Sequence, residues 1–240
     1  GTITNSANCD VTTTGDISIS AGTITSVATA VWTCGGGFTQ TGGTITDSVL
    51  KLTMTGTGNL ATLYTPTSGT THRLHTLIIN TAGTITATDD VGVVTAFTMT
   101  TGTLSINTGK YVDVRQDSAG TFTFTSGTIG GLGIFQDILF NANATFPVGD
   151  YDCPVYMYLQ SSVAVRTISL ANHTTLDSTL NILSSNAYTL TLLHGTNYTL
   201  TIVGLTTLGA YGCATQGTGT WTLGGLTING TGAKFTQGGI

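Results

Sequence analysis

Glutamate does not occur in this sequence; all eleven acidic residues are Asp, and only six Lys and Arg accompany them. Charged residues make up 7% of the chain, against about 25% in ordinary soluble domains. The net charge of −5 and the scattered, single cations exclude a nucleic-acid partner, because phosphate contacts need clustered Lys and Arg. Disorder is excluded by the opposite balance, since it goes with high charge and low hydrophobicity. Proline occurs three times and no segment sustains a helical period, which leaves an all-β fold. No apolar run approaches the roughly 18 residues of a membrane span, and Asp137 interrupts the most apolar stretch, 132–140, so no membrane span is expected.

Chemical motifs are missing as well. Cys9, Cys34, Cys153 and Cys213 show no CxxC or CxxCH spacing, which argues against zinc and haem. His72, His75, His173 and His194 form no HExxH, and there is no GxSxG and no Gly-rich phosphate loop leading into a helix. The expectation is a non-catalytic protein with no cofactor and no metal. The chain starts at Gly1 rather than Met and shows no secretory leader, so either a leader has been removed or this is a piece of something larger.

What is present is threonine, the commonest residue, with 33 glycines. Threonine is β-branched and favours strands, and glycine supplies positive φ at tight corners. A phrase returns: Gly1-Thr2-Ile3-Thr4, Gly22-Thr23-Ile24-Thr25, Gly43-Thr44-Ile45-Thr46 and Gly83-Thr84-Ile85-Thr86, with looser copies at Gly102 and Gly127. The first three start 21 residues apart and the fourth follows after 40, close to two more such steps. A fixed period near twenty residues, made of strand-and-turn units, predicts a β-solenoid with irregular rungs. Thr121-Phe122-Thr123-Phe124-Thr125 alternates strictly, which places Phe inward and Thr in outward ladders.

Three regions follow: a Thr/Gly-rich solenoid over 1–130, an irregular insertion or seam over 131–165 that holds two of the prolines, and a Leu/Thr-rich continuation over 166–240. In the last region Ile182 and Ile202 stand one 20-residue step apart. The end, Phe235-Thr236-Gln237-Gly238-Gly239-Ile240, nearly repeats Phe38-Thr39-Gln40-Thr41-Gly42-Gly43, and Gly1-Thr2-Ile3-Thr4 continues that phrase. Neither end resembles a capping repeat, which predicts either end-to-end stacking of subunits or a longer solenoid. So sparsely charged a surface resists self-association poorly and suits one covered by neighbouring copies; threonine hydroxyls alone keeping it wet is the alternative.

Each candidate site has a plainer reading beside it. The four cysteines predict disulfides, with Cys9–Cys34 about one repeat apart and Cys153–Cys213 as the second bridge; intermolecular pairing and buried free thiols remain open. Asn143, Asn172, Asn197 and Asn229 each begin an N-x-Thr glycosylation acceptor, or serve as turn residues. Asp113, Arg115 and Asp117 share one strand face, as a glycan-cleaving site requires, or as a surface ion-pair ladder does. Asp89-Asp90 and Asp150-x-Asp152 suit calcium or ordinary turns. Tyr151, Tyr156, Tyr158, Trp32 and Trp221 suit sugar stacking or packing.

The phrases Phe38-Thr39-Gln40-Thr41-Gly42-Gly43-Thr44-Ile45-Thr46 and Leu226-Thr227-Ile228-Asn229-Gly230-Thr231-Gly232-Ala233 resemble the beta-strand-repeat surface proteins of microbes. That group includes adhesin stalks, filament and sheath subunits and viral tail fibres. The resemblance implies an extracellular, cell-surface protein that assembles with itself. With the cysteines and uncapped ends, it looks most like a subunit of the proteinaceous sheaths around some methanogenic archaea. The function expected is a structural subunit of a sheath, filament or surface layer, held by open β-edges and disulfides. The alternative is an adhesin or tail-spike module with a surface-glycan ligand near 146–158. A polysaccharide-cleaving enzyme built on Asp113, Arg115 and Asp117 is a third reading. Ice binding needs a regular flat face, which the uneven repeat lengths do not give.

Overall fold

The computed structural model describes every residue except 1, 6–9, 27–30, 47–48, 67–71, 117–120, 140–141, 161–163, 171, 185–186, 195–197 and 238–240. Its regular elements are all strands, and every pairing between them is parallel. The chain winds as a β-solenoid whose rungs recur about 22 residues apart. No helix is long and apolar enough to cross a membrane among the described residues.

Each turn of the coil has three faces. The first face stacks Thr2–Asn5, Thr23–Ser26 and Thr44–Ile45, and farther along Tyr111–Gln116, Ile134–Leu139, Val155–Leu159 and Leu180–Ser184. The second begins with Val11–Thr13, Val31–Cys34 and Lys51–Met54, and the third with Ile17–Ile19, Phe38–Gln40 and Gly58–Ala61. Leu74–Ala87, Val91–Ile106, Thr199–Leu208 and Thr220–Ile228 are long strands that run round corners from one face to the next. The ladders therefore join into a continuous helical sheet rather than a closed ring.

Period-two alternation decides what points inward. On the second face Trp32, Leu52, Leu77, Phe97 and Phe122 stand in register, all buried. On the third, Ile85, Leu104, Ile129, Tyr151, Leu176 and Ile202 form a second buried column. The predicted inward Phe122 meets Phe97 at 5.4 Å and Phe146 at 5.6 Å between ring centroids, and Phe146 meets Tyr151 at 4.8 Å. Such contacts contribute about 0.5–1.5 kcal/mol each beyond burial. Threonines alternate with these residues; Thr12, Thr33 and Thr53 form one outward ladder, and Thr175, Thr201 and Thr222 another.

Corners are held by short polar side chains that reach one rung along. Asp10 Oδ1 accepts from Val31 N at 3.0 Å, Asp16 Oδ1 from Gly37 N at 2.6 Å, and Asp90 Oδ1 from Tyr111 N at 2.9 Å, each across 21 residues. Asn143 Oδ1 does the same for Thr167 N at 2.9 Å. Glycine makes the Asp16 corner possible, because a Cβ on Gly36 would collide with Asp16 Oδ1.

Four expectations need correction. The stretch 131–165 does not interrupt the coil: Ile134–Leu139 pairs with Tyr111–Gln116 on one side and Val155–Leu159 on the other. Its prolines sit between strands, where no ladder donor is needed. The Gly83 phrase is not the Gly43 phrase two steps on. Thr44 pairs with Thr23 on the first face, whereas Thr84 pairs with Thr103 on the third. Likewise Ile182 pairs with Leu208, not Ile202, and Phe235 lies on the second face although Phe38 lies on the third.

Candidate functional site

The outward side of the first face carries a cleft of about 550 Å³. Its floor is set by register. Asp113, Gln136 and Tyr156 stand in one column, and Ile138, Tyr158 and Leu183 in the next. Pro66, Asp90, Tyr111 and Gln160 complete the lining. Rungs lie about 4.8 Å apart and alternate residues on one strand about 7 Å apart, so a polar column runs beside an apolar and aromatic one.

Asp113 belongs to the outward set, since its neighbours Val112 and Val114 point into the core, yet it is fully buried. The chain just after Gly58–Ala61 covers it. Thr62 Oγ1 donates to Asp90 O at 2.8 Å, Leu63 N donates to Gln40 Oε1 at 3.2 Å, and the Tyr64 hydroxyl donates to Asp113 Oδ2 at 2.7 Å. Gly92 stands in register with Asp113, and a Cβ there would come within 2.8 Å of the Tyr64 ring, so glycine lets the ring lie close over the sheet. Asp113 Oδ1 is buried and accepts no hydrogen bond among the described residues.

Burial pushes the Asp113 carboxyl up from 3.8 to about 7; the Tyr64 hydroxyl opposes this, and the charge of Asp90 adds to it. The Tyr64 hydroxyl is itself raised, by burial first and by Asp113 second. Asp90 is raised by its own burial, against the pull of the Tyr111 amide.

Other candidates fall elsewhere. Arg115 shares the outward face with Asp113, standing in register with Ile138; Asp117 lies outside the described residues. Of the proposed stacking aromatics, Tyr156 and Tyr158 line the cleft, Tyr151 and Trp32 are buried in the core, and Trp221 donates through Nε1 to His194 Nδ1 at 2.8 Å. Asp89 pairs with Lys110 at 2.7 Å, and Asp150 Oδ2 accepts from Thr128 Oγ1 at 2.7 Å. Among the described residues no group of three His, Cys, Asp or Glu is placed to hold a metal ion. The chain matches no family model, no curated protein and no solved structure.

Cys34, Cys153 and Cys213 are free thiols, which corrects the expected Cys153–Cys213 bridge; Cys9 lies outside the described residues. The register gives the reason. The rung that begins at Val155, just after Cys153, pairs with the rung of Leu180, and Leu180 with Thr206, just before Cys213. Two rungs put the cysteines about 10 Å apart along the axis alone, beyond disulfide reach. Cys34 is buried, with its thiol 3.2 Å from Gly37 O, and burial pushes the Cys153 thiol up to about 12.

Asn143, Asn172 and Asn229 are exposed, and Asn197 lies outside the described residues. Thr145 and Thr231 are exposed with their asparagines, whereas Thr174 is buried and donates to Asn172 O at 3.1 Å. Sequence reading found Asp113 through its charged neighbours. It missed Tyr64 and Gln136, which reach the cleft through register and a covering segment and carry no motif.

Proposed function

We propose that this chain is a structural β-coil of an extracellular sheath, filament or surface layer, joined to neighbouring copies by pairing rung on rung. One observation carries the reading. Leu226 and Ile228 stand in register with the buried Thr206 and Leu208, yet are 41% and 49% exposed. They occupy inward positions on a rung with no partner on its far side among the described residues, and Trp221, Leu223 and Phe235 beside them are only partly buried. A further rung laid there, from residues beyond 240 or from a second copy, would cover these side chains and occupy open backbone donors and acceptors, and the sparsely charged surface favours a second copy. Such head-to-tail contact does not close on itself and makes filaments. Low charge removes the repulsion that would oppose it.

Electron microscopy and sedimentation of the purified chain over a range of concentrations test this. Rods that lengthen with concentration are expected, and Leu226→Asp with Ile228→Asp should suppress them. Dispersed monomers at every concentration overturn the proposal.

A second reading, a module that binds surface glycans, is supported by the cleft, where Tyr111, Tyr156 and Tyr158 stand with Gln136. Retention on a glycan array tests it.

A further inference from the structure

Two imidazoles tie down the last rungs of the coil. Trp221 Nε1 donates to His194 Nδ1 at 2.8 Å, across 27 residues. One rung below, Thr199 N donates to His173 Nδ1 at 3.0 Å, and the Thr199 hydroxyl lies 2.8 Å from the same nitrogen. From these bonds we propose that His194 and His173 form an acid-released latch on the strand Thr220–Ile228. That strand is the docking edge of the stacking reading, on which the latch's effect on assembly rests.

Chemistry singles out these two histidines. An indole N–H and a backbone amide can only donate, so both Nδ1 atoms must be unprotonated. By contrast, His75 Nδ1 meets the Thr76 hydroxyl, which donates or accepts and so tolerates a proton there. A proton on His194 Nδ1 would set N–H against N–H. Its Nε2 is already buried without a partner among the described residues, so the imidazolium would hold two donors and no acceptor. His194 is 1% exposed, and a Cβ on Gly219 would come within 2.7 Å of its ring, so glycine lets the imidazole pack against the backbone that leads into the strand.

Nothing nearby offsets a charge there. Tyr198 lies 5.7 Å from His173 and 6.1 Å from His194 between ring centroids, and the two imidazoles feel each other's charge. Cys213 and Lys234 stand farther off, in register with Thr191. No carboxylate hydrogen-bonds either imidazole among the described residues. Burial first, then the charge of His173, holds His194 below its ordinary 6.5. The closed latch therefore excludes a proton that the open form takes up, so it holds above pH 6.5 and opens as pH falls below it. Trp221 also meets Phe235 at 5.5 Å, so its release loosens the last second-face strand as well.

Fluorescence of a Trp32→Phe chain, in which Trp221 is the one tryptophan left, reads the latch. From pH 7 to pH 5 its emission should move to longer wavelength. Adding His173→Asn and His194→Asn, whose amide oxygen takes the place of Nδ1 and binds no proton, should abolish the shift. Should those variants fail to fold, hydrogen exchange of the wild-type chain decides. At pH 5, after correction for the intrinsic rate, amides of Thr220–Ile228 should lose roughly tenfold in protection while those of Leu74–Ala87 keep theirs. An emission unchanged with pH, the same shift in the Asn variants, or equal loss of protection in both strands overturns the latch. Rods formed at pH 7 should shorten at pH 5, and rods that keep their length overturn its effect on assembly. A chain that forms no rods at any pH overturns the stacking reading alone, and fluorescence and exchange still decide the latch.

Discussion

The Tyr64 hydroxyl meets Asp113 Oδ2 at 2.7 Å, joining positions 49 residues apart across the outer side of the sheet. The contact holds the segment after Ala61 over the first face, and it buries a carboxylate that few other groups solvate.

That burial makes stability depend on pH. The folded Asp113 titrates near 7, above its ordinary 3.8. Between these values the folded chain holds a proton that the unfolded chain has lost, so stability falls as pH rises from about 4 through about 7. Asp90 is shifted the same way, while His72, His75 and His194, lowered by burial, act in the opposite sense below pH 6.5. The charge of Arg73 opposes, without cancelling, the upward shift that burial and Asp113 give the Tyr64 hydroxyl. The readout is therefore the difference between wild type and Asp113→Asn. Urea denaturation from pH 4 to 8 should show the wild type losing a few kcal/mol relative to the variant. Parallel curves would show that Asp113 is not the source.

Asp16 tests the corner clips. Its Oδ1 accepts from Gly37 N at 2.6 Å on the next rung. Asp16→Ala should cost about 1 kcal/mol, and Asp16→Asn, which keeps an oxygen acceptor, clearly less. Equal losses would mean that charge rather than the bond matters.

Glycine positions differ in what a methyl group would meet. A Cβ on Gly56 would strike the Gly35 carbonyl of the neighbouring rung, while one on Gly15 meets nothing within 4 Å. Gly56→Ala should therefore lower the melting temperature by several degrees, as a backbone shift of about 1–3 kcal/mol would, and Gly15→Ala should leave it nearly unchanged or slightly higher.

The contrast between these glycines bears on what the sequence makes legible. Alternation in Thr121–Phe124 identified inward and outward sides correctly, because period two is a local property of the strand. Turn length was also legible, since Thr2, Thr23 and Thr44 pair at the spacing of the phrase. Which face a phrase belongs to was not. Gly22 at φ 89° precedes a first-face strand and Gly102 at φ 92° a third-face strand. The same corner chemistry serves both, so the words repeat while the position changes. The cleft was hidden for a related reason: Tyr64 and Asp113 come together only once register and the covering segment are known.

Thiol accessibility follows from burial. In a Cys9→Ser background, an aromatic disulfide reagent at pH 8 should label Cys213, which is half-exposed, slowly in the folded protein. Cys34 and Cys153 are buried and should react only on unfolding. Reducing agent should leave the melting temperature of that variant unchanged; a drop would reveal a bridge.

Thr206 gives the last test, and it concerns the interior. It stands between Leu180 and Leu226 in the inward column of the first face, fully buried, and its Oγ1 has no hydrogen-bond partner among the described residues. A buried hydroxyl without a partner costs about 1–3 kcal/mol, and valine keeps its shape and its branching while removing that cost. Thr206→Val should raise the urea midpoint, by an amount equivalent to about 1 kcal/mol, with no change in slope. Any neighbouring copy that stacks its rung onto Leu226 should also bind the variant at least as well, since the column beneath it becomes uniformly apolar. A loss of stability would show that the hydroxyl is bonded after all, by water inside the coil, and that this end of the core is wet.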